Sequence, residues 1–419
     1  MTTTINNEHK KLNVPNSTDK GNAIRNVPHL RFPEFSGEWE EKRLEECVDF
    51  LDGLRKPIKS EDRKSEKGLY PYYGASGIID YIDDFIFDGE YILLSEDGAN
   101  IIDRNYRVAF IAKGKIWVNN HAHVLQPYDG FDINFLSETL ECINYAVYNT
   151  GTTMPKLNQE VCRNINIKTP TAKEQNKIGN FLSLLNERIA TQNKIIEELK
   201  KLKSALIEKV FCSPNQKNPM CRIEGFEQAL STYKMSDFSS RVATKNKDSK
   251  CSLVLTIAAQ YGLVNQESFF NKSVASENLT GYYLLHKGEF AYNRSYSAGY
   301  DWGTVKRLDN YDEGVLSTLY ICFKINETIV DSDYLAYYFE STKWHKGLSD
   351  IAGEGARNHG LLNVSITDYF NTKHRFPVIE EQKAIAKMLN TITEKERKAT
   401  LLGECYQKQK QYLLRQMFI

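Results

Sequence analysis

Clustered carboxylates are the side chains of this sequence that would best suit metal-dependent catalysis, because paired acidic residues hold Mg²⁺ in nucleases. Three clusters lie close together in the sequence: Asp83-Asp84, Asp88-Gly89-Glu90 and Glu96-Asp97. No lysine follows them at the spacing that a nuclease site would need. Solvated loops between strands also carry such charges. The sequence therefore favours charged loops over a catalytic metal centre.

Two histidines are the other candidates for metal binding. His121 and His123 lie two residues apart on a predicted strand, so both side chains would face the same side of it. A zinc site needs further ligands, and no third ligand stands out in the sequence. The alternative is a polar contact surface, which the sequence favours. We therefore expect no metal site and no catalytic residue in this chain.

Sequence motifs for nucleotides and cofactors are missing. There is no GxxxxGKS/T phosphate loop and no glycine-rich strand-to-helix turn for S-adenosylmethionine. The stretch Asn218–Cys221 lacks the second proline and the aromatic residue of the motif that holds a flipped adenine in amino-methyltransferases. The eight cysteines form no CxxC pair, which is typical of free thiols in a reducing cytosol. The sequence thus predicts a cytoplasmic protein that is not itself an enzyme.

Loops that combine basic, polar and aromatic side chains are what the sequence offers instead. Arginine, asparagine and histidine side chains can read the base edges of DNA, while lysine and backbone amides at glycine turns hold phosphates. Such loops recur at similar places in both halves of the chain. The candidate DNA-binding residues are Arg55, Lys56, Lys59, Tyr73, Ser76, Asn120, His121, Thr152, Thr153 and Lys156 in the first half, and Arg294, Ser295, Tyr296, Tyr300, Thr318, Arg357, Asn358 and His359 in the second.

The overall charge of the chain does not decide whether such a surface exists. The 419 residues include 54 basic and 54 acidic side chains, so the net charge is zero. Nucleic-acid-binding proteins usually carry a basic excess. Electrostatic fields are local, however, with a Debye length of about 8 Å. Basic residues can therefore line one groove while acidic residues lie on the helices and outer faces, so zero net charge does not exclude DNA binding.

Two long helices must position these loops, because one stretch of sequence occurs twice. Residues 170–211 recur at 377–418 without a gap, so the offset between the two copies is constant. A helix of about 39 residues would be about 58 Å long. The apolar seam predicted for the first helix consists of Ile178, Phe181, Leu185, Ile195, Leu199, Leu202 and Leu206, with Leu182, Ile189 and Ile196 beside it.

The second helix has a less regular seam. Lys395 and Gln409 interrupt it, and Gly403 costs about 1 kcal/mol relative to alanine. We therefore expect this helix to pack antiparallel to the first in one intramolecular coiled coil; two unrelated surface helices are the alternative. The residues predicted to pack in the coiled coil or to dock partner subunits are Glu174, Gln175, Ile178, Leu182, Leu185, Leu199 and Leu206, and Glu381, Gln382, Ile385, Leu389, Ile392 and Leu413.

The rest of the sequence predicts two globular segments, which makes the fold class α+β. Each segment mixes short β runs, such as residues 91–94 and 319–323, with one helix of about 12 to 18 residues. The segments also repeat loosely, as residues 118–124 do with 315–321. We predict a pseudo-twofold chain of two α/β-mixed recognition domains separated by two long antiparallel helices. Its parts are a disordered lead (1–28), a first domain (29–170), a central helix (171–212), a linker (213–225), a second domain (226–376) and a C-terminal helix (377–419).

Together these features resemble the specificity subunit of a type I restriction-modification system. The resemblance rests on the Pro-x-x-x-Glu-Gln-x-x-Ile start of both repeated helices, at Pro170 and Pro377, and on the two segments that they close. The run 70–78 and the stretch from Trp39 to Leu44 are similar to the recognition-domain pattern of the family. The second segment lacks the Tyr-Gly-Ala-Ser-Gly run, as expected for a different recognition subclass.

The resemblance implies a non-catalytic reader of double-stranded DNA. Each globular segment would read one half-site of a bipartite target in the major groove, and the coiled coil would set the spacer between them. The partners would be two modification (methyltransferase) subunits and two restriction (motor-nuclease) subunits. S-adenosylmethionine, ATP and Mg²⁺ would be bound by those partners, with no membrane involved. A coiled-coil scaffold without sequence-specific DNA binding is the alternative.

Overall fold

The computed structural model of the chain describes residues 26–63, 68–271, 278–295, 299–351, 357–358 and 361–419. These residues divide into two units. Unit 1 runs to Asn193 and also includes Leu402–Ile419, whereas unit 2 is Lys194–Leu401. Each unit therefore contains one globular segment and a part of each long helix. Across the described ranges, no helix has the length and apolar character needed to cross a membrane.

Unit 1 is a six-stranded sheet with helices packed against it and a two-stranded ribbon beside it. Its described elements are β1 (Glu40–Arg43), β2 (Val48–Phe50), β3 (Tyr70–Gly74), β4 (Gly77–Ile82), β5 (Phe87–Ser95), α1 (Asn100–Asp103), β6 (Ala109–Val118), β7 (Ala122–Pro127), α2 (Ile133–Cys142), α3 (Gln159–Arg163), β8 (Asn166–Thr169) and the first part of α4 (Ala172–Val210). The sheet order is β2-β7-β5-β6-β3-β4, and β1 pairs antiparallel with β8. All neighbours in the sheet are antiparallel except β3 and β6, which are parallel.

Strand β5 shows how the core of unit 1 is built. Its residues alternate between the two faces of the sheet, as the two-residue repeat of a strand requires. Ile92 and Leu94 join the core that contains α2 and the helix residues Ile178 and Leu182, whereas Leu93 joins a smaller core on the opposite face. Both faces are buried here, which explains why Ile92, Leu93 and Leu94 are all apolar.

Unit 2 repeats this plan with smaller sheets. Its described elements are β9 (Ser231–Lys234), α5 (Met235–Phe238), β10 (Ser239–Arg241), β11 (Leu255–Ala258), β12 (Gly262–Asn265), α6 (Gln266–Phe270), β13 (Tyr283–His286), β14 (Phe290–Asn293), β15 (Thr304–Arg307), β16 (Glu313–Leu316), β17 (Ile321–Ile325), α7 (Ser332–Tyr338), α8 (His345–Ser349), β18 (Arg357–Asn358), β19 (Leu361–Leu362), α9 (Ile366–Asn371), β20 (Lys373–Phe376) and the first part of α10 (Ile379–Met417). A four-stranded sheet has the order β10-β17-β14-β15, and β9 pairs antiparallel with β20.

The long helices follow the predicted repeat and extend it. Helices α4 and α10 are each 39 residues long, and their bounds differ by the same offset as the sequence repeat. The offset also relates β8 to β20 and the first residue of α3 to that of α9. The structural repeat therefore starts before the prolines, at the helix that precedes the ribbon strand.

The seam of the helices differs from the predicted one. Ile195 and Leu202 are 45% and 48% exposed, whereas Ile189 and Ile196 are buried. On each helix, residues spaced alternately four and three apart form the least exposed stripe. Each residue of the stripe on α4 is matched by the residue of α10 that occupies the same position in the sequence repeat. The stripes are Ile178, Leu182, Leu185, Ile189, Gln192, Ile196, Leu199, Lys203, Leu206 and Val210 on α4, and Ile385, Leu389, Ile392, Glu396, Ala399, Gly403, Tyr406, Lys410, Leu413 and Met417 on α10.

Contacts within each unit link the two helices. In unit 1 the Arg188 guanidinium lies 4.5 Å from the centre of the Tyr406 ring. In unit 2 Lys203 Nζ lies 2.9 Å from the carboxylate of Glu396. Each helix carries eight basic and five acidic side chains, a net charge of +3. Basic residues therefore outnumber acidic ones on both helices.

Two further predictions about local structure need correction. The main helices of the globular segments, α2 and α7, have 10 and 7 residues rather than about 12 to 18. The segment 118–124 is not a continuous strand, because residues 119–121 form a turn between β6 and β7. Likewise, residues 317–320 separate β16 from β17 within the segment 315–321. Residues 1–25 of the predicted lead lie outside the described residues, while Asn26 O already accepts a hydrogen bond from Trp39 N (2.7 Å).

Candidate nucleic-acid interface

Four loops of unit 1 meet at one end of the sheet, where β3, β5 and β6 end. We call them the first loop cluster: residues 75–76, 96–98, 119–121 and 149–157. Backbone hydrogen bonds join them, from Glu96 N to His121 O (2.9 Å) and from Leu157 N to Glu96 O (2.7 Å). Ser95 Oγ donates to Ala75 O (2.5 Å). The sheet thus brings together candidates that lie far apart in the sequence.

The loop 149–156 is held in a defined shape. Asn149 Oδ1 accepts hydrogen bonds from Gly151 N (2.9 Å) and Lys156 N (2.8 Å). Thr150 N donates to Lys156 O (2.8 Å). A Cβ atom on Gly151 would lie 1.8 Å from Met154 O, so only glycine fits there. The tip residues 152–154 are consequently displayed to solvent in a fixed turn. Asn149 is a residue that the sequence analysis missed, and its position just before Thr-Gly was the available signal.

Most predicted residues of the first half are exposed on or near this cluster. Tyr73 is half-buried, its ring centre 6.1 Å from that of Phe110, and burial raises its pKa. Lys59 is ion-paired with Glu61 at 3.6 Å. The exposed candidates are Lys56, Lys59, Ser76, Asn120, His121, Thr152, Thr153 and Lys156.

The two histidines do not lie on one strand, contrary to the prediction. His121 lies in the turn 119–121, is exposed, and places Nδ1 2.8 Å from the carboxylate of Asp97. His123 lies on β7 and is 1% exposed. Its Nδ1 is 2.6 Å from Asp52 Oδ2 and its Nε2 is 2.8 Å from Leu157 O. The intervening turn explains the error, because the two-residue repeat holds only within a strand.

A buried set of charges supports the first loop cluster. Arg55 Nη1 lies 2.7 Å from Glu96 Oε2 and donates to Ala122 O at 2.8 Å. Glu96 also pairs with Lys156 (3.4 Å). Burial alone would lower the pKa of His123, but its hydrogen bond to the Asp52 carboxylate helps to raise the pKa to about 10. Arg55 is only 12% exposed, and its contacts hold the loops that carry Glu96 and Ala122 together.

Unit 2 has a comparable second loop cluster, consisting of residues 294–295, 317–320 and 361–364. Arg294 joins them, because its guanidinium donates to Leu319 O and Val364 O (3.1 Å each) and its own carbonyl accepts from Leu362 N (3.0 Å). Arg294 is therefore a bridge between loops in this structure. Ser295 and Thr318 are exposed, and Tyr300 is half-buried.

Four of the candidate residues in the second half lie within or beside segments that fall outside the described residues. The backbones of Arg357 and Asn358 form β18, which pairs with β19. Tyr296 and His359 lie outside the described residues. β19 contains Leu362, so the hairpin β18–β19 continues directly into the second loop cluster.

The repeated Glu-Gln pairs join each globular segment to its following helix. Glu174 accepts two hydrogen bonds of 2.7 Å from the guanidinium of Arg31, and Glu381 accepts two of 2.9 and 2.8 Å from Arg222. Gln175 Oε1 accepts from the backbone nitrogen of Asp132, which begins α2. All four side chains of the two pairs are no more than 2% exposed.

The second Gln makes the same contacts as the first. Gln382 Oε1 accepts from Asp331 N (2.9 Å), at the start of α7, and its Nε2 donates to Pro377 O (2.9 Å). Gln175 Nε2 donates to Pro170 O at 2.9 Å. These buried contacts place both Glu-Gln pairs, Glu174-Gln175 and Glu381-Gln382, in the junction between helix and globular segment, not on a docking surface. We call the two sets of contacts the helix junctions.

Metal ligands are not assembled at either cluster. Within the described ranges, no three histidine, cysteine or acidic side chains are grouped so that they could hold a metal ion. The carboxylates at Glu96 and Asp97 are instead paired with Arg55, Lys156 and His121. The arrangement is therefore suited to hydrogen bonding at a surface.

Comparison with known proteins shows similarity in sequence to DNA specificity subunits. Residues 36–201 match the sequence model of the type I restriction modification DNA specificity domain. The chain is 25% identical over 369 residues to S.HindORF215P of Haemophilus influenzae, named as a putative type I restriction enzyme specificity subunit, and the match covers 85% of this chain and 89% of that protein. It is also 25% identical over 405 residues to the MjaVIII specificity subunit of Methanocaldococcus jannaschii, covering 89% of each protein.

A solved structure has the same fold. The S subunit of a type I restriction-modification system from M. genitalium superposes with a TM-score of 0.61, covering 94% of this chain and 99% of that one at 15% identity. The likeness in fold extends over both globular segments and both long helices. The matched domain and the two relatives make this chain similar in sequence to type I restriction-modification specificity subunits.

Proposed function

We propose that this chain is the DNA sequence-recognition subunit of a type I restriction-modification complex and that each unit reads one half-site of a bipartite target. The observation that carries the proposal is the repetition of one design. Each unit presents a loop cluster beside its sheet and holds its helix through the same Glu-Gln junction. The names of the relatives support this function, and nothing favours a scaffold that ignores sequence.

The long helices would set the distance between the half-sites. An antiparallel intramolecular coiled coil is supported by the matched seams and by the contacts of Arg188 with Tyr406 and of Lys203 with Glu396. A 39-residue helix corresponds to about 58 Å. This length accommodates half-site centres about 34–36 Å apart, one turn of DNA, or somewhat further.

Methylation of adenine N6 and DNA cleavage would belong to partner subunits. Two modification subunits would bind S-adenosylmethionine, and two restriction subunits would use ATP and Mg²⁺. The seam side chains are buried or half-buried, so docking on the helices would use their outward faces, where Ile195 and Leu202 are exposed. The net charge of +3 on each helix would favour acidic partner surfaces.

A fluorescence titration of the full chain, bound to its modification partner, tests the function directly. We expect specific duplexes to bind at least about 10³-fold more tightly than unrelated ones, as is usual for specific DNA recognition. Exchanging residues 29–170 for the same segment of another family member should change one half-site only. Equal affinity for all sequences would refute the proposal, and a change in both half-sites would refute independent readers.

A further inference from the structure

The two units contain equivalent hairpins although their sequences differ. In unit 1 the hairpin β3–β4 turns at Ala75 and Ser76, and in unit 2 the hairpin β11–β12 turns at residues 259–261. The first residue of the returning strand is glycine in both, with φ of 127° at Gly77 and 85° at Gly262. Such positive φ values favour glycine, so both turns need this residue at the same place.

Strand direction places both turns beside the loop clusters. In unit 1, β3 is parallel to β6, with Tyr72 opposite Trp117, so the turn after β3 lies at the end where β6 leads into the turn 119–121. In unit 2, Val254 directly precedes β11 and forms a parallel bridge with Val315 of β16. The turn 259–261 therefore lies at the end where β16 leads into residues 317–320.

A side-chain contact supports the placement in unit 2. Thr256 Oγ1 on β11 lies 3.4 Å from the hydroxyl oxygen of Tyr320, which belongs to the second loop cluster. In unit 1 the matching contact is the hydrogen bond from Asn119 N to Tyr73 O (3.1 Å). Both hairpins are thus attached to the turn that follows the neighbouring parallel strand.

The turn 259–261 displays side chains suited to reading DNA. Gln260 is exposed, and Tyr261 is 55% exposed. The Tyr261 ring lies 6.4 Å from that of Phe269, which packs edge-on against Phe270 at 5.0 Å. A glutamine amide can accept a hydrogen bond from adenine N6 and donate one to N7, which is the bidentate pairing of the major groove.

We propose that the turn 259–261 is a base-reading element for the second half-site, with Gln260 contacting an adenine edge and Tyr261 packing against the DNA beside it. This inference rests on the proposed function and adds a contact that no sequence motif indicates. It also explains the missing Tyr-Gly-Ala-Ser-Gly run: unit 2 keeps the hairpin and its glycine but changes the reading side chains.

Selection from a duplex pool tests the proposal. The full chain with its modification partner is incubated with duplexes randomised in both half-sites, and the bound fraction is sequenced. We expect Gln260→Ala to reduce selectivity at one position of the second half-site by roughly 5- to 150-fold, the range for one bidentate contact. Gln260→Glu should move the preference at that position toward cytosine, whose N4 donates to carboxylates.

Ser76→Ala is the matched control, because it changes the equivalent turn of unit 1. It should alter the first half-site only and leave the second as in the wild type. The assignment of the turn would be overturned if Gln260→Ala left the sequence selectivity at the second half-site unchanged, or altered selectivity at the first half-site only. If the wild-type complex itself selects no sequence, the proposed function fails, which is a separate outcome. Thermal unfolding of Gln260→Ala should match the wild type, since the side chain is exposed.

Discussion

Two buried histidines show how neighbouring groups decide a charge state. His123 in unit 1 faces the Asp52 carboxylate, and its pKa is raised to about 10, so it is a cation at neutral pH. His374 in unit 2 is 3% exposed, and its two ring nitrogens lie beside hydroxyl oxygens, Tyr338 Oη at 3.0 Å and Thr372 Oγ1 at 2.8 Å. Burial lowers its pKa to about 3, so it is neutral.

The two units should therefore respond oppositely to pH. Folded His123 keeps its proton while the unfolded chain loses it, so its stabilisation of unit 1 is complete below about pH 6.5 and is lost as pH rises toward 10. Folded His374 stays neutral while the unfolded chain takes up a proton, so unit 2 loses stability as pH falls from about 6.5 toward 3. Each slope is at most about 1.4 kcal/mol per pH unit.

Native-state hydrogen exchange of β7 and β20, corrected for intrinsic rates, measures the two effects separately. In the full chain, His123→Gln should flatten the alkaline slope of β7 only, and His374→Gln the acid slope of β20 only. Parallel pH profiles in both strands of the wild type would contradict the assignment.

Asn149 is expected to fix the shape of a reading loop. Asn149→Ala removes the acceptor for two backbone nitrogens, those of Gly151 and Lys156, and frees the tip at Thr152 and Thr153. We expect about a 10-fold loss of selectivity for the first half-site, corresponding to about 1.4 kcal/mol. Asn149→Asp keeps the hydrogen-bond acceptor and should therefore retain most of the selectivity for the first half-site. Loss of selectivity at the second half-site would instead indicate a general defect.

At the scale of elements, the length and repetition of the two long helices were predictable from sequence. The buried faces of those helices and the turns between strands were not. The period and the proline-bounded repeat predicted both 39-residue helices. The choice between Ile195 and Ile196 as seam residues depends on what packs against the helix, because both fit an apolar stripe. The turn 119–121 looked like strand because apolar residues flank it on both sides. The hairpin β11–β12 was missed because its turn shares only a glycine with its counterpart.

The helix junctions are elements whose contribution can be measured. Gln175→Leu keeps the side-chain size but leaves Asp132 N and Pro170 O without their partner. Each buried group left unpaired costs about 1–3 kcal/mol, so we expect unit 1 to lose stability on that scale. Gln382→Leu should do the same to unit 2. Urea denaturation of the full chain measures the midpoint of unfolding for each variant.

Ile195→Gln is the control for these junction variants, since that side chain is exposed on α4. Surface changes away from special features alter stability by less than about 0.5 kcal/mol. If Gln175→Leu changes the free energy of unfolding by no more than this amount, the junction does not hold the helix to the globular segment.

At the scale of the whole chain, each unit is completed by a distant part of the sequence. The core of unit 1 includes Leu413 and Met417, and the Phe418 ring stacks on Phe135 with centres 5.4 Å apart. The core of unit 2 includes Val210 and Phe211 from the end of α4, with the Phe211 ring 5.0 Å from that of Tyr334. Each globular segment therefore depends on the end of a helix that starts in the other unit.

The equivalent phenylalanines of the repeat test this dependence, because they occupy the same repeat position and serve different units. Phe211 is 1% exposed, so Phe211→Ala should cost unit 2 about 3–5 kcal/mol. Phe418 is only partly buried, so Phe418→Ala should cost unit 1 less, while still lowering exchange protection in β5 and affinity for the first half-site. Since Phe418 and β5 lie near opposite ends of the sequence, only the three-dimensional pairing of the C-terminus with unit 1 accounts for that result. Loss of protection in unit 2 upon Phe418→Ala would show that the C-terminus completes the other core.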